Sequence, residues 1–78
     1  MSHDTLPPKP AFELGKYVHY KGKHYETVML AMNEATHEWC VIYRALYDTG
    51  ENPKEWIRTY EDFMALLPDG RARFERID

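Results

Sequence analysis

The sequence predicts a mainly β domain: a small barrel of about five strands with one short helix before the last strand. Three observations carry this. Short runs rich in Tyr, Val, Ile and Trp recur between breaks that hold Gly, Pro, Asn and charged residues. The helical signal is confined to one segment, near residues 59–67. The chain has 78 residues and one cysteine, so it forms its core by packing, without a disulfide framework. Five short strands in so short a chain suit a closed or strongly curled sheet, which protects its own edges.

Each element follows in order. Residues 1–13 read as a flexible, Pro-rich tail, and residues 14–78 as a single domain. Pro7, Pro8 and Pro10 favour an extended segment. Pro7 and Pro10 satisfy a P-x-x-P pattern, which is short and common, and a plain leader is its expected role. The first strand spans 15–21, dominated by Tyr17, Val18 and Tyr20, and Gly22 marks a tight turn. The second spans 24–32. Its two faces are Tyr25, Thr27, Met29, Ala31 and Glu26, Val28, Leu30, Met32, and both carry apolar residues. Alternation alone therefore does not orient it.

Residues 33–38 are a polar break, and 39–47 form the most apolar strand, from Trp39 to Tyr47. Residues 48–55 form a loop rich in Gly, Pro and charge, and 56–58 a short fourth strand. Thr59 is placed to cap a helix, with Asp62 at the reciprocal position and Glu61 in the first turn. Tyr60, Phe63, Met64 and Leu67 make its apolar face. Pro68 stops the helix, and 71–77 form the last strand.

Composition excludes several function classes. The 13 acidic against 10 basic residues leave a net charge of -3, which argues against a general nucleic-acid binder. A single cysteine excludes zinc sites built on cysteine pairs. No apolar run approaches the roughly 20 residues of a membrane-spanning helix. The polar start, with no signal-peptide core, leads to the expectation of a cytoplasmic protein.

The candidate chemistry is sparse. Cys40 and His37 stand three apart, which puts them on opposite faces of a strand, and Trp39 and Val41 flank the thiol. His19, His24 and His37 lack metal-ligand spacing, and no metal or cofactor is expected. No phosphate-cradling Gly-rich loop and no nucleophile elbow is present, so catalysis is not the favoured reading.

The better set is aromatic and cationic: Tyr17, His19, Tyr25, Tyr43, Arg44, Tyr47, Trp56 and Arg58. Tyr and Trp offer broad faces with polar handles, and Arg pairs with carboxylate or phosphate. The competing reading is a tyrosine-rich core with the arginines in structural ion pairs. The set leads to the expectation of a non-catalytic binding or adaptor module for a peptide or small anionic ligand. One alternative is a single-stranded nucleic-acid binder using Arg71, Arg73 and Arg76. The other is a small enzyme with its site at a homo-oligomer interface.

Residues 15–22, then Tyr25 and Val28, then 41–47, then Trp56-Ile57-Arg58 with Phe63, then Arg73-Phe74 resemble the domain-of-unknown-function family 1653 of small bacterial proteins. The resemblance covers about residues 15–77. It implies an SH3-like β-barrel in a free-standing small protein, and no activity. The chain departs from the family pattern in two places. A segment that in the family reads roughly His, any residue, Glu, Thr is here Asn33, Glu34, Ala35, Thr36, and Trp-Val-Arg-Pro becomes Trp56-Ile57-Arg58-Thr59.

Overall fold

The computed structural model describes residues 6–78; residues 1–5 of the expected tail lie outside the described residues. Its elements are β1 (Lys16–His19), β2 (His24–Asn33), β3 (Glu38–Ala45), β4 (Glu55–Thr59), the single-turn helix α1 (Tyr60–Phe63) and β5 (Phe74–Arg76). The strands form one antiparallel sheet in the order β4-β3-β2-β1-β5.

The ambiguity of the second strand has a structural cause. Thr27 faces Tyr43 across the β2–β3 ladder, but the next pair is Met29 with Ile42, so the register shifts within β2. One extra residue exchanges the faces of the strand. Tyr25 and Thr27 lie on the face of Tyr43 before the bulge, and Leu30 joins Val41 on that face after it. The bulge also bends the longest strand, and the sheet curls about it.

The core occupies the concave side. It consists of Tyr17, Val41, Tyr43, Phe63 and Phe74, with Tyr25, Leu30, Tyr60 and Phe12 packed against it. Phe63 stacks on Phe74 with ring centroids 4.1 Å apart and meets Tyr17 edge-on at 5.3 Å. Phe12, counted with the tail in the sequence reading, stacks on Tyr17 at 5.7 Å. The Tyr17 hydroxyl donates to the Glu13 carbonyl at 2.6 Å. Buried Thr27 ties the same entry segment down. Its Oγ1 accepts from the Gly15 amide at 2.8 Å and donates to the Gly15 carbonyl at 3.1 Å.

Two expectations are corrected. The barrel is not closed: β4 and β5 are the two edges of an open sheet, with no ladder between them. Both edges are short, and side chains fill the seam. The Arg58 guanidinium from β4 lies 5.8 Å from the ring centre of Phe74 in β5. The helix is one turn rather than two. Thr59 does cap it, accepting from the Asp62 amide at 3.1 Å, and Phe63 is buried. Met64 is exposed, because the backbone leaves the helix there and forms a bridge between Leu66 and Ala72. Pro68 favours an extended Leu67, which suits that bridge and not a second helical turn.

Candidate functional site

Alternation along β3 divides the predicted set. Val41, Tyr43 and Ala45 point into the concave side, and Arg44 points to the other face. There Arg44 Nε meets Glu55 Oε2 at 3.1 Å, with Glu26 as its cross-strand neighbour. Both partners of that ion pair are well exposed, so it adds little stability. Tyr17 joins Phe12 and Phe63 in the core. These two residues stand apart from the rest.

Five others converge on the concave side around Phe74. Tyr25 and Tyr43 meet edge-to-face at 5.2 Å, and each lies within 6 Å of the Phe74 ring centre. The Tyr25 and Tyr47 hydroxyls share a hydrogen bond of 2.8 Å. His19 contacts Phe74 at 4.9 Å. Arg58 closes the group, with its Nη1 donating to Asp62 Oδ2 at 2.6 Å, one helical turn along the chain. Trp56, opposite Tyr43 in the ladder, extends the group to the sheet edge and is 39% exposed.

The electrostatics follow from this enclosure. Burial pushes the Tyr25 phenol far above its ordinary range, and the bond to Tyr47 adds to the shift. Burial likewise raises Tyr17. The Arg58 pKa is raised above its ordinary value chiefly by hydrogen bonding with Tyr43, against desolvation and with help from Asp62. The raised phenols of Tyr17 and Tyr25 do not suit acid–base chemistry near pH 7.

His19 responds in the opposite sense. Burial first, then Arg58, Lys21 and Arg73, hold its pKa below the ordinary 6.5, and its Nδ1 accepts from the Lys21 amide at 3.2 Å. The unfolded chain therefore binds more protons than the folded one at mildly acidic pH. Stability is full above about pH 6.5 and falls as pH drops from there through the folded pKa. In urea titrations from pH 7.5 to 5, wild type is expected to lose more stability than His19→Gln. Equal losses would show that His19 does not drive the acid sensitivity.

Cys40 is buried beside its cross-strand neighbours Ala31 and Thr59, and burial followed by Glu38 raises its thiol pKa. Such a thiol is a poor nucleophile. Among the described residues, no three His, Cys, Asp or Glu side chains come together as a metal cluster. Among the described residues no helix is long and apolar enough to cross a membrane. Of the three C-terminal arginines, Arg71 pairs with Asp69 at 2.7 Å, and Arg76 pairs with Glu13 and Asp78. Buried Arg73 Nε has no hydrogen-bond partner among the described residues.

Sequence reasoning treats Trp39 as the start of the third strand and a neighbour of Cys40, not as a site residue. In the structure its indole Nε1 donates to the Pro7 carbonyl at 3.0 Å, across 32 positions of sequence. The P-x-x-P spacing was the available signal, but nothing local says which aromatic residue meets it.

Residues 15–76 match the profile of a family described as "protein of unknown function (DUF1653)". The fold is similar to the crystal structure of a DUF1653 protein from Bordetella bronchiseptica. The TM-score is 0.77 and the identity 30%, over 85% of this chain and 87% of that one. No curated protein matches the chain.

Proposed function

Since the chain belongs to the DUF1653 family, which carries no assigned activity, we propose from its own geometry that it is a non-catalytic binding module. The exposed rim of the aromatic–arginine set, Trp56 and Arg58, with Tyr47 joined to the set through Tyr25, receives a carboxylate or phosphate group on a peptide or small ligand. The curled sheet takes the part of the SH3-like platform that the family resemblance implies. One observation carries the reading: Arg58 already holds a carboxylate, that of Asp62, at the rim of an aromatic surface. An incoming anion exchanges with Asp62, and the planar Trp56 face two residues away supplies apolar contact. Paired Arg71 and Arg76 make the nucleic-acid alternative weaker.

The test is a two-dimensional NMR titration of the full chain with inorganic phosphate and with short acidic peptides. Saturable shifts are expected at the Trp56 indole, the Arg58 Nε and Tyr47. Trp56→Leu is expected to weaken binding several-fold with little change in the urea midpoint, because Trp56 lies on an exposed edge strand. Shifts that are absent, or that scatter without saturating, would end this reading.

A further inference from the structure

The Pro-rich segment does more than lead into the domain. Pro7, Pro8 and Pro10 form one wall of a cleft of about 250 Å³, and Trp39 and Tyr60 stand on the other. Trp39 is the second residue of β3 and Tyr60 the first of α1. Glu38 and Glu61 lie along the rim.

The chemistry of each wall suits the other. Proline has no N–H, and an extended proline-rich segment forms no internal hydrogen bonds, so its carbonyls are free acceptors. The indole N–H is a donor only, and here it meets the Pro7 carbonyl at 3.0 Å. An extended proline helix has three residues per turn, so residues three apart, such as Pro7 and Pro10, present one face. Aromatic side chains receive such a face at low entropic cost, because the segment is already stiff. Glu38 and Glu61 give the cleft an acidic lining, which suits a basic proline-rich segment; residues 7–10 themselves carry Lys9.

We propose that the face carrying Trp39 and Tyr60 is a binding site for basic, proline-rich peptide segments, and that residues 7–10 cover that face in cis as an autoinhibitory strap, hydrogen-bonded at Pro7. Phe12, two residues beyond Pro10, anchors the strap in the core. That anchor keeps the local concentration of the strap high, so a free peptide competes poorly until the strap is weakened. Trp39 lies toward the opposite end of β3 from Tyr43, the strand partner of Trp56.

The experiment uses the full chain. The protein has two tryptophans, so its two indole N–H signals can be assigned with Trp56→Phe. In wild type the Trp39 indole is expected to exchange with solvent more slowly than that of Trp56. A blocked peptide of sequence Leu-Pro-Pro-Lys-Pro-Ala should shift it little. In a chain carrying Pro7→Ala, Pro8→Ala and Pro10→Ala, exchange should speed up, and the same peptide should bind roughly tenfold tighter or more. Its shifts should centre on the Trp39 indole and Tyr60. A control peptide with alanine for each proline should leave both unmoved. In an otherwise wild-type chain, Trp39→Phe keeps a ring but loses the donor, and should move the Lys9 and Ala11 amides to random-coil shifts. The proposal is overturned if those amides keep their wild-type shifts, if the released cleft ignores the proline peptide, or if both peptides act alike. Because the readout is at Trp39 and not at Trp56 or Arg58, failure here is distinct from failure of the anion-binding reading.

Discussion

Phe63→Ala is expected to remove about 3–5 kcal/mol of stability, a large share of what a chain this size holds. Domains commonly have about 0.05–0.15 kcal/mol per residue, roughly 4–12 kcal/mol for 78 residues, so the loss takes between about a quarter and all of the stability. The reason is position. Phe63 is 0% exposed and lies between Phe74, stacked at 4.1 Å, and the edges of Tyr17, Tyr43 and Phe12. An open sheet has no second sheet to close over the hole; among the described residues the cover comes from the turn that carries Phe63 and from the Phe12 ring beside it. Urea unfolding followed by far-UV circular dichroism checks this. Phe63→Leu, which leaves most of the volume, should lose roughly half as much or less. A loss below about 1 kcal/mol for the alanine variant would mean that the core is held elsewhere.

Phe12→Ala is expected to lose about 2–3 kcal/mol, although the residue precedes the first strand. Its ring lies flat on Tyr17 at 5.7 Å and meets Phe63 and Tyr60 edge-on at 5.6 and 6.0 Å. It is partly buried, so the expected loss is below that of Phe63. Leu14→Ala is the internal control. That side chain is exposed, and its loss should stay within about 0.5 kcal/mol. If the two variants unfold at the same urea concentration, Phe12 belongs to the tail in energy as well as in sequence. The result also bears on the cleft, since Phe12 tethers the proline strap beside it.

Much of the fold is legible in local chemistry. Tyr17 and Val18 mark β1, the run from Trp39 to Tyr43 marks β3, and Trp56 to Arg58 mark β4, because branched and aromatic side chains suit a pleated surface. Thr59 and Asp62 mark the start of α1 through a cap that needs only three residues of spacing. The helix length is not legible. Tyr60, Phe63, Met64 and Leu67 have helical spacing, but the bridge between Leu66 and Ala72 claims the backbone after Phe63. Closure is not legible either, because whether two edges pair depends on the curvature set by the bulge in β2.

The candidate site shows the same division. Residue types alone select the aromatic–arginine set, and strand alternation places Arg44 on the face opposite Tyr43. Alternation does not say that Tyr25, Tyr43 and His19 all meet Phe74, a residue from the far end of the chain. Nor does it say that Arg58 finds Asp62 or that Trp39 finds Pro7.

By itself, then, the sequence determined the β character, the strand positions, the helix cap and the pool of side chains available for recognition. These depend on neighbours within a few positions. Only the tertiary structure decided which aromatics are core and which are rim, that Phe12 packs with the domain, and that the Trp39 indole meets the Pro7 carbonyl. Those outcomes rest on contacts between residues tens of positions apart, brought together by a sheet whose curl no local pattern encodes.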